Sequence, residues 1–204
     1  MDKFSQTVSL AITGGSGVQY ALRLLECLLA ANCRVNLMVS RAAAVVINTE
    51  TELEVPQQEA DWPAWFAAQY SAGPEQLRYY MREDWFSPVA SGSSHCAPLV
   101  ICPASGGTLS SIACGASNNL IERAADVVLK ERKPLILMPR EAPYSAIHLE
   151  NMLKLTQLGA TIIPASPGFY HQPKCIEDLI DFIVARILDQ LGIEQELMPR
   201  WGEA

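Results

Sequence analysis

The chain has 204 residues, 50% of them hydrophobic and 18% charged. That composition suits one globular domain over residues 1–204 with a full core, and argues against a disordered chain. Fifteen Lys and Arg against 22 Asp and Glu give a net charge of −7, which argues against holding nucleic acid by phosphate neutralisation. No apolar run approaches the ~18 residues of a membrane span, so no membrane association is expected. Met1 to Thr7 is polar and lacks the basic start of a signal peptide. Six cysteines (Cys27, Cys33, Cys96, Cys102, Cys114 and Cys175) contain no C-x-x-C pair. They read as buried free thiols in a reducing cytoplasm.

Short apolar runs alternate with longer helical patterns. Val8 to Ile12 predicts a buried strand. Val18 to Ala31 follows with apolar residues at Ala21, Leu22, Leu24, Leu25, Leu28 and Leu29, one face of a helix. Val35 to Val39 predicts the second strand, and Arg41 to Thr49 a short helix. The stretch Thr51 to Ser87 breaks the rhythm with Trp62, Trp65, Tyr70, Tyr79, Tyr80 and Trp85. It reads as an excursion with a helix near Asp61 to Tyr70 and an edge strand near Tyr79. Then come a strand at Leu99 to Cys102, a helix at Thr108 to Ala116, and a helix capped by Asn118 running to Leu129. Leu135 to Met138 and Thr161 to Ile163 predict strands, and Ser145 to Leu158 and Glu177 to Leu191 predict helices. Strand, helix, strand in this order predicts an α/β fold: a parallel sheet covered on both faces.

In such a fold, ligands sit beyond the C-terminal ends of the strands. The first strand ends in Thr13-Gly14-Gly15-Ser16-Gly17 and opens a helix, whose N-terminus offers N–H groups and a positive dipole end. The dinucleotide fingerprint fails, because Tyr20 stands where its last glycine would be, and the second strand ends in Ser40 rather than an acid. The phosphate-loop Gly-Lys-Ser/Thr is also missing. A mononucleotide or other phosphate ligand fits better, with a plain tight turn as the alternative. Cys102-Pro103-Ala104-Ser105-Gly106-Gly107-Thr108 is a second strand-to-helix loop, with two hydroxyls at a helix start. Alone it is an ordinary cap; paired with the first loop it suggests two sides of one cofactor site. Arg140 directly follows a strand, again at the ligand edge, whereas Lys130 to Lys133 reads as a solvated helix end. Glu50 reads as a solvated acid at a helix C-terminus, where the dipole disfavours it. His95, His148 and His171 lack metal-ligand spacing, so no metal is expected. The nucleophile elbow and the zinc-deaminase pattern also fail.

Seven stretches in one order carry a resemblance. They are the TGGSG loop, the SGS loop at Ser91 to Ser93, CPASGGTLSSIA, Asn119 to Asp126, Leu129 to Leu135, Pro139 to Pro143, and Gly168 to Pro173. Together they resemble the UbiX-type flavin prenyltransferases, from the first strand to Arg200-Trp201. The least family-like stretch is Glu52 to Arg82. The resemblance implies a flavodoxin-like or Rossmann-like three-layer fold in a homo-oligomer, commonly a dodecamer. It implies FMN and dimethylallyl monophosphate as ligands, a prenylated FMN with a fourth ring as product, and UbiD-type decarboxylases as its recipients.

Carried over by position, Gly14, Gly15, Ser16, Ser40, Ser105, Gly106, Gly107, Thr108 and Arg140 match the FMN contacts. Tyr170 and Arg186 match the residues that hold the prenyl phosphate, and Arg123, Lys130 and Glu141 resemble the rest of that pocket. Ser91, Gly92, Trp85 and Trp201 resemble further substrate contacts, with Trp85 beside the prenyl group. Ser16, Glu50, Glu141 and Tyr170 are the expected catalytic residues. Gly106-Gly107 departs from many relatives but leaves the backbone contacts intact. Two readings stand beside this one: a flavin-dependent aromatic acid decarboxylase, which needs no basic phosphate pocket, and a flavin carrier without chemistry.

Overall fold

The computed structural model describes residues 3–94, 96–198 and 202. Six strands form one parallel sheet: β1 Thr7–Ile12, β2 Arg34–Val39, β3 Leu77–Tyr79, β4 Leu99–Ala104, β5 Leu135–Pro139 and β6 Thr161–Ile162. Their order is β3-β2-β1-β4-β5-β6. The helices are α1 Val18–Ala30, α2 Arg41–Glu50, α3 Trp62–Gln69, α4 Gly106–Ala113, α5 Leu120–Lys130, α6 Ala146–Gln157 and α7 Ile176–Gln190.

The side-chain alternation of the strands builds two cores. Val8, Leu10 and Ile12 of β1 face one core with Val35, Leu37 and Val39 of β2, beneath α1, α2, α3 and α7. Ala11 of β1, Met38 of β2, and Leu99 and Ile101 of β4 face the other, beneath α4 and α5. Three layers result, helices on both faces of a sheet whose central strands are buried but for Thr7 at the start of β1. The excursion becomes part of this scheme. Trp62 donates from Nε1 to the Pro56 carbonyl at 2.7 Å, and Phe66 stacks on Tyr79 with centroids 5.9 Å apart. These aromatics dock α3 and bring β3 beside β2 in parallel register.

Element ends shift by a residue or two from the sequence reading, for identifiable reasons. Asn119, not Asn118, caps α5: its side chain accepts from Glu122 N–H at 3.0 Å, while Glu122 Oε2 accepts from Asn118 N–H at 2.7 Å. Helix α4 starts at Gly106, because Ser105 is its cap, and it stops at Ala113, with Gly115 just beyond at φ 72°. The cysteines also depart from expectation. Cys33 and Cys102 are buried, but Cys114 and Cys175 are exposed, because both lie at helix ends outside the cores.

The chain order places β1 between β2 and β4. From β1 the chain turns one way to β2, and later returns to the other side of β1 as β4. The crevice beyond the ends of β1 and β4 is therefore a topological switch point, the place where open α/β sheets bind ligands.

Candidate active site

The loops after β1 and β4 flank this crevice and are tied together by Thr13. Its Oγ1 donates to the Pro103 carbonyl at 2.7 Å and accepts from Ser105 N–H at 2.9 Å. Both bonds cross between neighbouring strands, so Thr13 sets the spacing of the two loops. Sequence reasoning passed over Thr13, because only the pairing of β1 with β4 gives its hydroxyl these partners. Gly14 is needed for close approach: a Cβ there would lie 2.6 Å from the Ala42 methyl in the first turn of α2.

Glu50 closes the first loop from the end of α2. Its Oε2 accepts from Gly17 N–H at 2.8 Å and Val18 N–H at 3.2 Å. Gly17, the α1 N-cap, has φ 93°, a conformation costly for any other residue. Burial raises the Glu50 carboxyl, but the Ser16 hydroxyl, these two N–H groups and the Arg140 charge outweigh it. Together they hold the carboxyl below its ordinary 4.5. Two sequence expectations change here. Glu50 is not a misplaced acid at the end of α2, because it serves the N-terminus of α1, where the dipole favours it. Two of the N–H groups at the α1 start expected to meet a ligand anion, those of Gly17 and Val18, are already taken by this carboxylate.

Two other helix N-termini keep such groups available. Ser40 caps α2 by accepting from Ala43 N–H at 3.1 Å. Ser105 caps α4, with its Oγ 3.3 Å from Thr108 N and 3.0 Å from Thr108 Oγ1. The first-turn N–H groups of Gly106 and Gly107 have no acceptor among the described residues. Between these two helix starts lies a pocket of about 60 Å³, lined by the hydroxyl-bearing Thr13, Ser40 and Thr108 and by Arg82 and Asn119. Arg82 and Asn119 were also absent from the sequence candidates, since only the fold brings them to this edge. Arg140, directly after β5, has its Nε buried without an acceptor. A guanidinium N–H in that position is costly until an acceptor arrives. Hydroxyls, free N–H groups and this donor together suit a phosphate-bearing, hydrogen-bonding cofactor, so the residues present fit an FMN.

The remaining candidates divide between places. Glu141 is exposed and accepts from Ala142 N–H at 3.1 Å. Tyr170, 79% exposed, lies on the loop between β6 and α7. Arg186 is on α7, paired with Asp189 at 2.7 Å. Ser91 and Gly92 precede β4, and Lys130 ends α5 just before β5. In a parallel sheet these positions lie at the edge opposite the crevice. There Gly92 sits hard against Lys130 and Glu131, which pair with each other. Arg123, about 10 Å up α5 at 1.5 Å per residue, donates to the Ala90 carbonyl at 3.0 Å and pairs with Asp126 at 2.9 Å. Trp85 stands half exposed beside Phe86, which is fully exposed. One copy of the chain thus unites Gly14, Gly15, Ser16, Ser40, Glu50, Ser105, Gly106, Gly107, Thr108 and Arg140, but not Ser91, Gly92 and Lys130. Trp201 lies outside the described residues, as does His95. No group of three or more His, Cys, Asp or Glu able to hold a metal occurs among the described residues. No helix of the described residues is long and apolar enough to cross a membrane.

A family model described as Flavoprotein matches residues 1–188. The chain is 56% identical over 198 residues to the flavin prenyltransferase UbiX of Pseudomonas aeruginosa, spanning 97% of this chain and 95% of that protein. Its fold is similar to the crystal structure of AnUbiX in complex with FMN and dimethylallyl pyrophosphate, with TM-score 0.85, 35% identity and 97% of each chain covered. It is also similar to the dodecameric FMN-dependent UbiX-like decarboxylase from Escherichia coli O157:H7, with TM-score 0.83, 35% identity and 96% and 98% of the two chains covered.

Proposed function

This chain belongs to the UbiX family of flavin prenyltransferases, and from that premise we propose that it attaches a dimethylallyl group from dimethylallyl monophosphate to N5 and C6 of reduced FMN. The prenylated FMN then serves a UbiD-type decarboxylase, in ubiquinone biosynthesis or aromatic acid decarboxylation. The observation that carries this reading is the crevice at β1 and β4. Its two helix starts, three hydroxyls and unsatisfied Arg140 donor together suit a flavin mononucleotide, and neither flanking loop carries the dinucleotide fingerprint.

When bound, reduced FMN supplies the nucleophilic N5 and C6. The protein supplies the rest. Gly106 and Gly107 N–H groups with the hydroxyls of Ser105 and Thr108 hold an anion at the α4 dipole, and Ser40 does so at α2. Gly14 and Gly15 let the ligand approach the backbone. Arg140 donates its buried Nε–H to the cofactor. Tyr170, Arg186, Arg123 and Lys130 bind the prenyl phosphate and stabilise its charge as it leaves, with Ser91, Gly92 and Glu141 completing that pocket. Trp85 faces the allylic group, whose developing positive charge an aromatic ring stabilises; Trp201 is assigned to the substrate by sequence position alone. Ser16 and Glu50 stand at the cofactor as a hydroxyl–carboxylate pair. With its carboxyl held ionised, Glu50 is a weak base at neutral pH. It would relay the flavin C6 proton toward the phosphate, which is released as inorganic phosphate when the prenyl C–O bond breaks and can accept that proton.

Residues at opposite edges of one sheet meet only if a second copy brings them together. The homo-oligomer, in our reading a dodecamer, places Lys130, Ser91 and Gly92 of one copy against Tyr170 and Arg186 of another. The fully exposed Phe86 and the exposed Ile147, Leu149 and Leu153 of α6 are apolar surface for such contacts. The whole chain acts as one flavoprotein domain, and its free thiols suit the cytoplasm.

The test is anaerobic incubation of the protein with reduced FMN and dimethylallyl monophosphate. Mass spectrometry should show a flavin heavier by C5H8, and that flavin should activate a UbiD-type apoenzyme. Bound flavin without this product, together with loss of CO2 from an aromatic acid, would favour the decarboxylase reading. Mixing the K130A and R186A proteins under reassembly conditions, at a dimethylallyl monophosphate concentration where each alone is impaired, should restore part of the activity. Failure of every mixture would place both residues in one copy's site.

A further inference from the structure

The loop carrying Tyr170 returns to α7 through a small aromatic cluster. The His171 ring stacks on Phe182, with centroids 5.5 Å apart and planes 21° from parallel. Gly168 closes on the same ring: a methyl there would lie 3.1 Å from two Phe182 ring atoms and 3.3 Å from the Tyr170 ring. Phe182 and Arg186 are four residues apart on α7, so they are neighbours on one helix face. Tyr170 and Arg186 therefore flank a single stack from its two sides.

His171 Nδ1 and Nε2 are both buried and make no hydrogen bond. A histidine placed for its polarity uses at least one ring nitrogen as donor or acceptor. This one is held by its ring face, the contact that sets the geometry of aromatic pairs. No other stacked ring joins the β6–α7 loop to α7 among the described residues.

We propose that His171 is a positioning residue of the prenyl-phosphate site. Its stack on Phe182, with Gly168 as the close-packed neighbour, fixes the loop so that Tyr170 stands beside Arg186. The proposal rests on the flavin prenyltransferase reading and adds a residue that acts through Tyr170, not on the phosphate itself. The stack shares no residue with the lining of the flavin crevice, so flavin affinity is expected to be independent of it.

The experiment compares wild type, H171A, H171F and G168A as full-length assembled protein. It measures kcat, KM for dimethylallyl monophosphate, and the FMN Kd by fluorescence. Calorimetric binding of dimethylallyl monophosphate to protein loaded with oxidised FMN gives a readout without turnover. H171A should raise KM and the calorimetric Kd about tenfold, the scale of a small misplacement, with the FMN Kd unchanged. H171F keeps a ring face without nitrogens and should restore both to within ~twofold of wild type. G168A presses a methyl into Phe182 and should raise the same two constants. If H171A does not fold, H171F and G168A decide. Wild-type constants in H171A or G168A would overturn the proposal. So would H171F as weak as H171A, which would put the nitrogens on the phosphate. A wild type that neither binds dimethylallyl monophosphate nor alkylates flavin would instead refute the underlying function.

Discussion

Glu50 couples the end of α2 to the start of α1, and its replacement gives a graded test. In E50A, Gly17 N–H and Val18 N–H lose the acceptor they meet at 2.8 and 3.2 Å. An unsatisfied donor costs ~1–3 kcal/mol when buried. Glu50 is only half buried, so solvent offsets part of this and roughly 1–2 kcal/mol remains. E50Q keeps an oxygen for the N–H groups and loses the charge facing the helix dipole, a term of about 0.3–1 kcal/mol. Urea unfolding at pH 7, followed by circular dichroism, should rank wild type above E50Q and E50Q above E50A. The pH dependence has a definite sign. The folded carboxyl titrates below its ordinary 4.5, so its stabilisation is present above that value. It disappears as pH falls through the lower, folded value. Wild type should then converge on E50Q below pH 4.5. An E50A midpoint equal to wild type at pH 7, or a gap to E50Q that ignores pH, would refute the capping argument.

Other substitutions separate packing from ligand binding. G14A forces its methyl to 2.6 Å from that of Ala42, so it should destabilise by about 1–3 kcal/mol in thermal unfolding and weaken FMN binding; a stable, fully active G14A would contradict the close approach. R140A removes a donor that is buried without an acceptor. It should raise the FMN Kd roughly tenfold to a hundredfold, the scale of one charge-assisted hydrogen bond, and an unchanged flavin titration would remove Arg140 from the site. R186A should leave the FMN Kd near wild type but raise the KM for dimethylallyl monophosphate by a similar tenfold to hundredfold. Equal loss of flavin binding would move Arg186 into the flavin site.

The sequence by itself determined the sheet and much of the cofactor crevice. The short apolar run Val8 to Ile12 and the helical face from Ala21 to Leu29 are local patterns, so the parallel α/β scheme was legible without coordinates. The two glycine–hydroxyl loops were legible as well, because a strand ending in small residues before a helix has a fixed place in such a sheet. The seven motifs were sufficient to identify the family. What only tertiary structure decided were relations across the chain. Thr13 meets Pro103 and Ser105 because β4 pairs with β1, some 90 residues later. Glu50 ends one helix and caps another, which reversed its meaning from a misplaced acid to a dipole partner. His171 owes its position to Phe182, and no spacing in the sequence announces a ring stack. The parting of Lys130, Ser91 and Gly92 from the crevice follows from chain direction at a sheet edge. Each motif, and the strand end it follows, was visible in the sequence; which side chains meet there was set by the fold, because strand pairing joins segments far apart in the chain.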